Sequence, residues 1–104
     1  MNLTDYPVEY HPERRRFELT IDGHLSILEF RQLKNNALAL THTEVDPALE
    51  GKGVGSYLVK SAFEYIDQQH WTIFPYCPFV VTYLRRHPAW YRLVSPDFEE
   101  PEEF

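Results

Sequence analysis

Between residues 45 and 56 the chain changes its hydrophobic period, and it does so through three alternating glycines. Upstream, Phe17, Leu19 and Ile21 alternate with Glu18 and Thr20, the period of two of a half-buried strand. Downstream, Val54, Leu58, Ala62 and Ile66 recur every fourth residue with Val59 and Phe63 beside them. Lys60, Glu64, Asp67 and Gln68 take the opposite face, as in an amphipathic helix. The hinge between the two patterns is Gly51-Lys52-Gly53-Val54-Gly55-Ser56. A short apolar run, Trp71 to Phe74, follows the helix and reads as a buried strand. Strand, glycine turn, helix and strand make a βαβ crossover, so Ala37–Val45 and Trp71–Phe74 are expected to lie parallel.

The rest of the chain fits around that unit. Residues 6–45 read as an antiparallel meander. Asp22-Gly23 is a tight hairpin signal, His24 to Leu33 resumes the alternation, and Lys34-Asn35-Asn36 is a second turn before Ala37 to Val45. Val8 to Tyr10 adds an edge strand. Asp46-Pro47 ends the third long strand, because proline has no donor for the ladder. The helix is expected to stop near Gln69 or His70, and Pro75 to stop the next strand. A second helix covers Phe79 to about Arg86 and ends at His87-Pro88, since the residue before proline avoids helical angles. Ala89 to Val94 adds one more helical turn. The expected fold class is α/β, a mixed sheet in which an antiparallel meander is followed by a βαβ crossover.

Composition narrows the function classes. A chain of 104 residues, 43% apolar and 15% aromatic, suits one core and no more. The domain is read as residues 1–96 with an acidic tail at 97–104. That tail holds five of the 16 acidic residues and no basic one, so the body carries eleven carboxylates against ten Lys and Arg. The formal charge of −6 is therefore mostly a property of the tail, read as disordered or loosely docked. A near-neutral body argues against nucleic acid as main partner, and Arg14-Arg15-Arg16 reads as an exposed hairpin end. No apolar run is long enough for a membrane span, and the start of the chain lacks the marks of a signal peptide. A single cysteine, Cys77, excludes an internal disulfide framework and a thiolate zinc cage. The cytoplasm is the default location. His11, His24, His70 and His87 show no metal-ligand spacing, so no metal is expected. Trp90, Tyr91 and Phe98 either cover the core or form a dimer surface.

The glycine turn carries the chemistry. Glycine permits positive φ and close approach of a ligand to the backbone. The first turn of the following helix presents unpaired amides and the positive end of its dipole, a place for a pyrophosphate. The P-loop spacing is absent, and Gly-x-Gly-x-x-Gly fails because one residue, not two, separates Gly53 from Gly55. A turn that holds no ligand is the bland alternative.

Several segments together resemble the GCN5-related N-acetyltransferases, and most closely a minimal branch of roughly a hundred residues. They are Phe17-Glu18-Leu19, His42-Thr43-Glu44-Val45, Leu49-Glu50-Gly51-Lys52-Gly53-Val54-Gly55-Ser56, Cys77-Pro78-Phe79-Val80 and Arg86-His87-Pro88. The acetyl-CoA motif of that superfamily is Gln/Arg-x-x-Gly-x-Gly/Ala at this place in the fold, and Glu50 stands in its Gln/Arg slot. The resemblance implies that the amides of Gly51, Lys52, Gly53, Val54, Gly55 and Ser56 take the CoA pyrophosphate. The pantetheine arm would run where the parallel strands splay, with backbone groups at Val45 positioning the thioester. The chain passes from Val8–Tyr10 to Phe17 with no room for the two early helices of larger members, which shape the acceptor pocket.

Five side chains are the candidates for reaction chemistry. Cys77 precedes Pro78 at a helix start, where the dipole favours a thiolate; it accepts the acetyl group or lines the thioester cleft, unless it is a small core residue. His42 alternates with Leu40 and Glu44 on one face and ends near the mouth of the parallel pair. An imidazole there is a base for the attacking amine, with Glu44 as the second base. By the resemblance, a tyrosine after the last parallel strand protonates the leaving thiolate. Tyr83 is nearest, one residue off the usual position, and Tyr76 comes after it. Arg85, Arg86 and His87 suit the negative end of the second helix's dipole. The expected function is acetyl transfer from acetyl-CoA to an unidentified amine, directly or through Cys77. The competing reading is a CoA or acyl-CoA sensor or adaptor without catalysis.

Overall fold

The computed structural model describes residues 1–99. Five strands form one sheet in the order β1-β2-β3-β4-β5: β1 Glu9–His11, β2 Arg16–Ile21, β3 His24–Leu33, β4 Ala37–Glu44 and β5 Thr72–Pro75. The first four pair antiparallel and β4 pairs with β5 in parallel. Helix α1, Val54–Gln68, crosses between β4 and β5, and α2, Pro78–Arg86, follows β5. The architecture is α/β with a mixed sheet, as expected. Only a short 3-10 turn, Pro12–Arg14, separates β1 from β2. No helix among the described residues is long and apolar enough to cross a membrane.

The local signals act as physics requires. Asp22 and Gly23 both have positive φ, 51° and 81°, the geometry of a two-residue hairpin whose twist matches the strands. Asn35 and Asn36 also take positive φ, 62° and 57°, in the three-residue turn between Leu33 and Ala37. Pro78 opens α2 with Cys77 as its N-cap, and His87 closes it before Pro88. Pro75 ends β5 as its last member rather than lying beyond it. This is tolerated because the outer side of β5 is a sheet edge, joined only by an isolated bridge from Ile73 to Val94.

Both helices lie on one face of the sheet. Phe17, Leu19, Ile21, Leu28, Phe30, Leu38, Leu40 and Ile73 form one core with the apolar residues of α1 and with Val80, Tyr83 and Leu84 of α2. The two helices are joined by Phe63, whose ring meets Tyr83 edge-on at 5.7 Å and Trp90 at 5.5 Å. Trp90 therefore caps the core. Tyr91 is exposed, and Phe98 sets its ring against Phe74 and Tyr76. The start of the acidic tail is thus docked through Phe98; its last five residues lie outside the described part.

The second sheet face carries no helix, and charge organises it. Glu18 lies on this face of β2, 6% exposed. Arg14 reaches both its oxygens at 3.1 Å, and Arg16 donates to it as well, at 2.6 Å. Burial opposes the charge on Glu18, but the two guanidinium groups outweigh it and hold its carboxyl below the ordinary 4.5. A carboxylate with a lowered native pKa contributes stability above its unfolded value and loses it as pH falls through the native one. Thermal stability is therefore expected to fall below about pH 4.5. Glu18→Gln should flatten that acid limb while lowering stability at neutral pH; an unchanged limb in the variant would assign acid sensitivity to other groups.

Candidate functional site

The site begins where β4 and β5 part. Their last register pair is Leu40 with Pro75. There the Leu40 carbonyl accepts from the amides of both Tyr76 and Cys77, at 3.0 and 2.9 Å. This pair of hydrogen bonds turns the chain from β5 into α2. β4 runs on to Glu44 with β3 on one side and no strand on the other, so its edge opens a cleft.

A β-bulge decides which side chains meet in that cleft. Glu29 pairs with His42, but Phe30 pairs with Leu40, leaving Thr41 as an extra residue in β4. Its hydroxyl donates to the Glu29 carbonyl at 3.3 Å. One inserted residue reverses the alternation. The expectation that His42 shares the face of Leu40 is therefore corrected: Thr43 does. Thr43 pairs with the core residue Leu28 and points to the helical face, where its Oγ1 lies 3.1 Å from the Cys77 sulfur. His42 and Glu44 point to the helix-free face, with Nε2 to Oε1 at 3.7 Å, both exposed. Cys77 and His42 do not come together. Cys77 is 3% exposed and joins the hydrophobic core.

Past Glu44 the chain is guided into the glycine turn. Asp46 accepts from the Ala48 amide at 2.9 Å and lies 3.2 Å from His24 Nδ1. The Ala48 amide first, and then His24, holds its carboxyl below the usual range. This caps the 3-10 turn Pro47–Leu49, which buries Leu49. Gly51 and Gly53 follow with φ of 78° and 75°. A Cβ on either would meet nothing within 4 Å, so glycine is needed there for conformation rather than for space. Gly53 is the N-cap of α1. The helical bonds begin with the Tyr57 amide on the Gly53 carbonyl, 3.1 Å, so the amides of Val54, Gly55 and Ser56 have no helical acceptor. Gly55 differs from the other two: a Cβ there would stand 2.6 Å from the tip of the Phe79 ring. Its role is close packing of α1 against the start of α2.

These elements enclose a groove of about 390 Å³. Its walls are Thr43, Val45, Leu49, Glu50, Gly51, Gly53, Val54, Gly55, Ser56 and Phe79. Of the residues expected to hold a pyrophosphate, only Lys52 is absent from this wall, exposed on the turn. The backbone fits an extended, phosphate-bearing ligand: unpaired amides at a helix start on one end and an open strand edge on the other. Glu50 adds a carboxylate to the wall. Tyr83 does not line the groove; it is buried, with its ring stacked on His87 at 4.3 Å. Burial first, and the charge of Glu64 next, push its phenol up. Tyr76 lies 47% exposed against Phe98.

Thr43, Leu49 and Phe79 are site residues that sequence reasoning missed. Phe79 follows Cys77-Pro78 and so begins α2, which is a usable signal. Thr43 carried none, because its direction depends on the bulge.

The described residues contain one set able to approach a metal, Glu9, His11 and Glu18. It lies at the far end of the sheet on β1 and β2. Glu18 already serves two arginines there, whose positive charge competes with a cation.

Comparison with known proteins agrees with this geometry. The family model described as GCN5-related N-acetyl-transferase matches residues 16–94. The chain belongs to the GCN5-related N-acetyltransferase family. Curated relatives include Protein NATD1 of Xenopus tropicalis and of Mus musculus, each 25% identical over 83 residues, covering 78% of this chain and 76% of theirs. The human NATD1 protein is also 25% identical, over 78% of this chain and 74% of its own. Among solved structures, the NMR solution structure of a GCN5-like protein from Staphylococcus aureus shares the fold with a TM-score of 0.66. That similarity spans 91% of both chains at 23% identity.

Proposed function

We propose that the protein transfers an acetyl group from acetyl-CoA to an amine by direct attack. The observation that carries this reading is the groove joining the open edge of β4 to the unpaired amides of α1. The pyrophosphate is assigned to the amides of residues 51–56, and the pantetheine arm to the strand edge at Thr43 and Val45. This brings the thioester toward the bulge at Thr41. From the helix-free face the acceptor nitrogen reaches the thioester carbon beside His42. The nitrogen lone pair forms the new amide bond, the C–S bond breaks, and CoA leaves with the electron pair. His42 takes the proton from nitrogen, and Glu44, on the same face, orients and stabilises the imidazolium. The thiolate takes its proton from water at neutral pH, since thiols titrate near pH 8.5. Tyr83, off the groove wall, is assigned no step.

Cys77 is a positioning residue in this reading. Its burial and its contact with Thr43 support a role in holding β4 against α2, rather than as acetyl carrier. Titration with CoA is expected to show binding, and none at millimolar ligand would overturn the proposal. In an assay of acetyl-CoA consumption across primary amines, His42→Ala should lower turnover by about 10²–10⁴-fold. Cys77→Ala should change it little. Loss of turnover in Cys77→Ala, together with an acetyl adduct on Cys77 of the wild type by mass spectrometry, would establish the covalent route instead.

A further inference from the structure

Next to the groove lies a smaller cavity of about 100 Å³ lined by Ser56, Phe79, Thr82, Tyr83 and Arg86. Ser56 and Phe79 line both cavities, which therefore adjoin at the N-terminal turn of α1 and the start of α2. Phe79, Thr82 and Arg86 are spaced by three and four residues along α2 and form a stripe on one side of it. Ser56 comes from the first turn of α1.

The chemistry of this cavity is distinct. Its lining residues include two that carry hydroxyls, Ser56 and Thr82, and one guanidinium, Arg86; the Tyr83 phenol is engaged with Trp90. Arg14, Arg16 and Arg92 are each tied to a carboxylate. No ion pair of Arg86 is found among the described residues, and no carboxylate lines the cavity. A guanidinium with a free donor fork beside hydroxyl groups suits a phosphate monoester. The volume fits a phosphate group and a few waters, not a whole nucleoside.

We propose that this cavity binds the 3′-phosphate of CoA, with Arg86 as the residue that distinguishes CoA from its dephosphorylated form. The inference rests on the proposed CoA groove, because the two cavities meet at Ser56 and Phe79. Arg86 is exposed at the last turn of α2, so its replacement leaves the core untouched.

The test compares calorimetric Kd values for CoA and dephospho-CoA, with inorganic phosphate as competitor. The wild type is expected to bind CoA about tenfold or more tightly than dephospho-CoA, the usual effect of a charged hydrogen bond. Arg86→Gln should remove that preference by weakening CoA alone, and Arg86→Lys should restore part of it. Inorganic phosphate should reduce CoA affinity more in the wild type than in Arg86→Gln. Equal affinity of the wild type for both ligands would overturn the proposal. So would equal weakening of both by Arg86→Gln, which would place Arg86 on the pyrophosphate. If neither ligand binds, the groove assignment itself fails.

Discussion

Gly53→Val is expected to abolish measurable CoA binding in a protein that still folds. Gly53 is the N-cap of α1 at a φ of 75°, and nothing lies within 4 Å of where its Cβ would be. The Cβ of the variant therefore meets no clash. The variant meets the intrinsic cost of a left-handed backbone, about 1–2 kcal/mol, which is worse for a β-branched side chain. The turn relaxes to a negative φ, and the amides of Val54, Gly55 and Ser56 lose their common direction. Each hydrogen bond from such an amide to a phosphate is worth about 1.5–3 kcal/mol, so losing two lowers affinity by about 10²–10⁴-fold. Calorimetry reads the affinity and circular dichroism the fold. Gly53→Asn is the control, since asparagine accepts the left-handed region, and it should retain most of the binding. Equal loss with Asn and Val would show that the side chain, not the backbone angle, is the obstacle. Gly55→Val acts differently, by pushing on Phe79.

Phe63→Ala is expected to give the largest loss of stability, about 3–5 kcal/mol. Phe63 is fully buried and its ring joins α1 to Tyr83 of α2 and to Trp90. Its removal leaves a cavity between the two helices that line the groove. Domains of this size are stable by about 5–15 kcal/mol, so the urea midpoint should fall sharply with an unchanged m value. The melting temperature should drop by more than about 10 °C. A loss below about 1 kcal/mol would mean that the seam between α1 and α2 contributes little. CoA is expected to recover part of the loss, because binding to the native state alone stabilises it by mass action.

Much of the fold was legible because its signals are local. Asp22-Gly23 turns the chain by its own backbone preference, wherever it is placed. Leu58, Ala62 and Ile66 mark a helix face by spacing alone. Gly51 and Gly53 announce positive φ, and Pro78 announces a helix start. Of the candidate groove, Val45 and the glycine turn were legible to the same depth, because their backbone course follows from local preferences. The groove's side-chain partners were not. His42 was assigned to the face of Leu40 because strict alternation assigns it there, and the bulge at Thr41 reversed the order. The Gly55 contact with Phe79 joins residues 24 apart, and the cavity at Ser56, Thr82 and Arg86 exists only because α1 and α2 lie side by side.

The strand meander, the glycine turn, the helix after it and the parallel strand beyond are all written in local pattern. Each rests on preferences of a few neighbouring residues. Which side chains meet at the candidate site depends on how distant elements pack. The tertiary structure set Thr43 on Cys77, turned His42 and Glu44 to the helix-free face, and left Tyr83 buried away from the groove wall. The physical reason is that a strand side chain has two directions, and one extra residue exchanges them. That extra residue is held by the register between β3 and β4, which the local pattern of either strand does not contain.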